Sequence, residues 1–82
     1  MLCLATSKAL FSGKREREML TDISFMTDSD VYEARYEIAG AIVNAKGLMV
    51  HYSRDADTRG QSMQIRDLVE RSEARLLSVT RP

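Results

Sequence analysis

Between Gly47 and Ser62 the chain passes from a short apolar run into a charged loop and on into a helix start, and this transition dictates the fold class the sequence suggests. Leu48, Met49, Val50 and Tyr52 follow Gly47 almost without interruption. Short apolar runs bounded by turn signals read as strands buried on both faces. The run ends in Arg54, Asp55, Asp57 and Thr58, and in open α/β sheets ligands gather at the carboxyl ends of strands. Chemistry is therefore expected at this loop.

The flanking segments fit the same scheme. Ile23 to Met26 is a second β-like run and stops at Thr27-Asp28-Ser29-Asp30. Thr27 suits a helix N-cap, Asp28 and Asp30 then meet the positive end of the dipole, and Met26 can staple onto Val31. Val31, Ala34, Ile38, Ala41, Ile42 and Ala45 recur at three- and four-residue spacing. That predicts a helix to about Lys46, with Gly47 in the left-handed position behind it. A β-meander through Tyr32, Ala34, Tyr36 and Ile38, turning at Asn44 to Gly47, competes with it; cap, face and ending together favour the helix.

Thr58 and Gln61 have capping-box spacing. Ile65, Leu68, Val69 and Ser72 make the next stripe, with Arg66–Glu70 and Asp67–Arg71 as helical charge pairs. Leu76, Leu77 and Val79 read as a third strand. The expected fold is thus α/β, ordered β-α-β-α-β over residues 22–82, with Ile23 to Met26 the middle strand of a small three-stranded parallel sheet. Residues 1–21 are expected as an N-terminal extension outside the core, with a frayed helix near 14–20.

An 82-residue chain makes one small domain, and such a domain buries a modest fraction of its surface. Lys plus Arg and Asp plus Glu both count 12, so no global field draws in nucleic acid or membrane. Residues 54–82 hold six basic and five acidic groups, a poor phosphate footprint. Cys3 is the single cysteine; this excludes an internal disulfide and fits a reducing, cytoplasmic setting. No apolar run approaches the roughly 20 residues that span a bilayer, and the first residues lack the basic leader of a signal peptide.

The order of segments and their local sequence resemble the first half of a Toll/interleukin-1 receptor (TIR) domain. Asp22-Ile23-Ser24-Phe25-Met26-Thr27-Asp28-Ser29-Asp30 is similar to the family's opening strand and acidic turn, without its Ser-Tyr pair. Arg54-Asp55-Ala56-Asp57-Thr58-Arg59-Gly60 is similar to its Arg-Asp-x-x-Pro-Gly loop, one residue longer and with Arg59 in place of proline. Gly60, Ser62, Ile65, Ser72 and the run from Leu76 to Val79 match the signature that follows. The resemblance implies that Thr27, Asp28, Ser29, Arg54, Asp55, Asp57 and Gly60 form a nucleotide-binding or assembly loop, with NAD the possible ligand. It also implies a partner that is a second copy or another TIR-like protein. The family's NAD-cleaving members use a glutamate on a helix after the third strand, a role that no residue here inherits. Binding or assembly is expected, not catalysis.

Read without the family, each of these residues is a helix cap or a solvated turn. Asp55-x-Asp57-x-Arg59-Gly60 fails as a calcium loop, because Arg59 and Arg66 stand where oxygen ligands are needed. His51, the single histidine, has no second histidine or cysteine in reach to build a zinc site. Ser62 and Ser72 lack a base that would make either a nucleophile. Tyr32, Tyr36, Ala39 and Val43 form a second apolar stripe on the expected helix, rotated from its core face. A second face needs a second partner. The alternative function is therefore a small regulatory or adaptor protein that dimerises through helix packing and binds no nucleotide.

Overall fold

The computed structural model describes residues 14–81 and shows, among them, helices and no strand. Helix α1 (Lys14–Asp22) runs into a 3-10 turn (Ile23–Phe25). A short helix α2 (Asp28–Glu33) leads almost directly into α3 (Arg35–Ser53). A second 3-10 turn (Ala56–Thr58) then opens α4 (Arg59–Thr80). The long helices α3 and α4 form a hairpin, and α1 packs against both.

Thr27 caps α2 as its residue type demands, its Oγ1 accepting from the Asp30 amide at 3.1 Å. Met26, extended at φ −85°, packs half-buried onto the core beside fully buried Val31. The helix bends at Ala34, whose φ −92° and ψ 12° leave the helical region. Arg35 covers that break, donating from Nη1 to the Tyr32 carbonyl at 2.8 Å. Beyond it, Ile38, Ala41, Ile42 and Ala45 are buried, as their spacing predicts. On α4 the buried positions are Ser62, Ile65, Val69 and Ser72, with Leu68 half-buried. The expected pair Asp67–Arg71 forms at 2.7 Å.

The α/β expectation is overturned. Leu48, Met49, Val50 and Tyr52 belong to α3, and Leu76, Leu77 and Val79 to α4, so no parallel sheet exists among the described residues. The cause lies in the spacing. Ala41, Ala45, Leu48, Met49 and Tyr52 continue one helical face without a change of period. Val50, 54% exposed, is an apolar residue on the other side of the helix, and it fills the gap that would have revealed the period. Leu77, 58% exposed, does the same between Leu76 and Val79. The middle strand expected at Ile23 to Met26 is a 3-10 turn followed by one extended residue. Gly47 does not end the helix; it lies inside α3 facing solvent, and a Cβ there would meet nothing within 4 Å.

The expectation for residues 1–21 divides. The helix near 14–20 is present, but it is no solvated appendage: Glu16 and Leu20 are buried, and Leu20 joins the core cluster with Ile23, Val31 and Ile65. The remainder of that extension, with Cys3, lies outside the described residues.

A glycine in the middle of an exposed helix face costs about 0.5–1 kcal/mol relative to alanine. Gly47→Ala should therefore raise the unfolding free energy by about that amount in urea melts at high dilution. A loss of stability would point to a left-handed helix end at this position.

Candidate functional site

The residues expected to form a loop around a nucleotide fall into two groups at opposite ends of the molecule. Thr27, Asp28 and Ser29 lie at the start of α2, where Asp28 pairs with Arg75 and the same guanidinium donates to the Met26 carbonyl at 2.9 Å. Arg54, Asp55, Asp57 and Gly60 lie at the α3–α4 turn, with Gly60 in the first turn of α4. Arg75 and Gly60 are fifteen residues apart on one helix, roughly 22 Å at 1.5 Å per residue. The two groups do not converge on one site.

Each group instead ends a helix. The last four carbonyls of a helix have no partner within it. In α3 these belong to Val50, His51, Tyr52 and Ser53, and all four find donors. Ser53 Oγ donates to the Val50 carbonyl at 2.7 Å, and the Arg54 amide to that of His51 at 3.4 Å. Thr58 Oγ1 donates to the Tyr52 carbonyl at 2.6 Å, and Arg59 Nε reaches that of Ser53 at 3.4 Å. The expected capping box is therefore replaced. The Thr58 hydroxyl points back to α3 and gives α4 no side-chain cap, while Gln61 accepts from Arg17 on α1 at 3.2 Å. Ser62 is a fastener between the long helices, donating to the Met49 carbonyl at 2.7 Å.

Other chemistries find little support among the described residues. No group of three or more His, Cys, Asp or Glu side chains stands together to hold a metal ion. His51 is exposed at the end of α3, with its ring centroid 5.7 Å from that of Tyr52.

Two surface features remain. The first is the outer face of α3, where Tyr36, Ala39, Gly40, Val43, Gly47 and Val50 are all exposed, with Tyr32 of α2 exposed just before the bend. Tyr36 is 77% exposed and Val43 68%. At 100° per residue these positions lie diametrically opposite Ile38, Ala41, Ile42 and Ala45. The stripe inferred from sequence is therefore open, with none of the described residues covering it, and it extends further than inferred, to Gly47 and Val50. Arg35 lies over Tyr32 and Tyr36 at 4.1 and 4.6 Å from the ring centroids, fixing both rings at the start of the stripe.

The second is an open groove of about 360 Å³ between α1 and α3, lined by Arg15, Glu16, Met19, Glu37, Ala41 and Asn44 together with Gly40. Sequence reasoning missed Glu16, which sits among alternating charges that read as a solvated run. It missed Arg75 as well, whose partners are more than forty residues away. Neither carried a local signal.

Comparison with known proteins leaves these surfaces to speak for themselves: no family model matches the chain, and no curated protein or solved structure matches it. Among the described residues, no helix is long and apolar enough to cross a membrane.

If the α3–α4 turn is a cap, its exposed acids should be expendable and its half-buried donor, Thr58, should not. Asp55→Asn and Asp57→Asn are expected to change stability by less than about 0.5 kcal/mol. Thr58→Val should cost about 1 kcal/mol, the net value of one hydrogen bond. Urea denaturation of the three variants would check this.

Proposed function

We infer that the chain works by association, as a small helical adaptor or regulatory module that pairs with a second copy of itself through the outer face of α3. The observation that carries this reading is the apolar stripe from Tyr32 to Val50 with two glycines set into it. Gly40 and Gly47 weaken the helix, and inside the chain a Cβ at either would meet nothing within 4 Å. No internal packing requires them. A helix approaching closely from outside does, since small residues let two backbones come together.

Charge selects the occupant and its direction. The beginning of the stripe is acidic, with Asp28, Asp30, Glu33 and Glu37 against Arg35; its far end is mixed, with Arg54 and Arg59 beside Asp55 and Asp57. A parallel pair would set acid against acid. An antiparallel pair with its two-fold axis at Val43 sets Glu33 of one copy beside Arg54 of the other. In that register Tyr36 meets Val50 of the second copy, and Ala39 meets its Gly47. The pairing is self-complementary, as a two-fold interface requires. The exposed tyrosines stacked on Arg35 supply the residue types that dominate interface energetics.

The lone cysteine supports a reducing, cytoplasmic setting for such a module. The TIR-like, nucleotide-binding reading depends on strands at 48–52 and 76–79, and helices occupy both positions.

Sedimentation equilibrium of the wild-type chain should give a dimer. Val43→Glu, at an exposed site, should give a folded monomer, because two carboxylates would face each other at the axis. Gly47→Ala should weaken the dimer by about ten-fold through crowding of the helices. A wild-type chain that stays monomeric at millimolar concentration would sink the proposal.

A further inference from the structure

The groove between α1 and α3 contains an unresolved demand for a hydrogen-bond donor. Glu16 is 4% exposed, yet its Oε2 has no hydrogen-bond partner among the described residues. A carboxylate oxygen buried in this way costs free energy until a donor reaches it. Glu16 lies in the first turn of α1. Its side chain lines the open groove on one side and, with Arg17, Leu20, Ala45, Leu48, Ile65 and Leu68, a narrow void on the other. Arg17 Nε, a buried donor on the void side, does not bond to Glu16 and has no partner of its own among the described residues. The void has no room for water, so the groove is the route open to a donor from outside.

The other walls narrow the chemistry of that donor. Glu37 and Asn44 add a second carboxylate and an amide oxygen, while Met19, Gly40 and Ala41 provide an apolar floor. Neither Glu16 nor Glu37 takes part in an ion pair among the described residues. Arg15 also lines the groove, and its side chain is exposed. A bare metal ion fits poorly, because about 360 Å³ far exceeds one ion and the described residues offer no third acidic or imidazole ligand. An anion would face two carboxylates. A cation with several N–H donors and a short hydrocarbon stem matches both the acceptors and the floor.

We propose that the groove lined by Glu16, Glu37 and Asn44 is a binding site for a primary alkylammonium group, whether of a free polyamine or of a lysine side chain on a partner. The ammonium donates to Glu16 Oε2 and to the Glu37 carboxylate. The methylene chain lies on Met19 and Ala41.

The site is tested by NMR titration of the labelled chain with n-butylammonium chloride, using n-butanol as the neutral control. Running it on wild type and on Val43→Glu keeps the outcome separate from dimerisation, since Gly40 belongs to both surfaces. Saturable shifts at the amides of Glu16, Glu37, Gly40 and Asn44 are expected with the amine and not with the alcohol. Glu16→Gln should weaken binding by about ten-fold or more, the value of a charge-assisted hydrogen bond. Glu37→Gln should weaken it roughly three-fold, as expected of an exposed ion pair. Glu37 is exposed, so that variant folds and decides the matter alone if Glu16→Gln does not. Shifts that never saturate, equal shifts with butanol, or unchanged affinity in Glu37→Gln would overturn the assignment. Spermidine and N-acetyl-lysine amide then distinguish the two sources: tighter binding of the former identifies a free polyamine, of the latter a partner's lysine.

Discussion

Everything else in this molecule depends on one seam, the contact of α3 with α4. Ile38, Ala41, Ile42 and Ala45 on one helix and Ile65, Val69 and Ser72 on the other remove their surfaces from water together. Burial of apolar area is the main favourable term available to a chain of this size, and it must offset the entropy of ordering two long helices. Small side chains on both sides keep the helices close enough for Ser62 to reach across to a backbone carbonyl. Lys46–Glu73 spans the same pair at 2.8 Å with both side chains about half exposed, so it adds little. With that seam in place, α1 has a surface on which to lay Leu20, and the turn after it can bury Ile23.

Much of this architecture was legible in the residues, and the misread strands share one origin. The core stripe from Val31 to Ala45, the Thr27 cap and the start of α4 near Thr58 all follow from spacing and residue type. The stripe through Ile65 and Ser72 does too. Fold class did not, because α3 is apolar on two opposite faces and α4 has Leu77 outside its core stripe. Where a second apolar face interleaves with the first, a helix reads locally as a strand. The expected parallel sheet grew from those runs, and helices stand in its place. Long-range partners such as Arg75 with Met26 leave no mark within a window of neighbouring residues. Glu16 was equally hidden, since burial of a charge is decided by what packs over it.

The two faces of α3 also order the functional readings. Its inner face is used up by folding, and its outer face is chemically distinct from the polar outer face of an ordinary surface helix. Among its 19 residues the full charges are Arg35, Glu37 and Lys46, and Arg35 is spent on the kink and on two tyrosine rings. Association thus follows from the same sequence property that obscured the fold. The groove beside α1 stands apart, because its argument rests on an unmet hydrogen bond and not on exposed hydrocarbon.

The way α3 ends has a consequence for how the chain moves. Two of its four terminal carbonyls are held by residues 58 and 59, at or inside the beginning of the next helix. The end of α3 therefore cannot unwind while the start of α4 stays intact, and the reverse also holds. Ordinary helix ends fray independently, each losing its last turn at little cost. Here the two ends share one opening event, so amide exchange on both sides of the turn should follow a single protection factor, as if the hairpin bend were one short element instead of two loose tips.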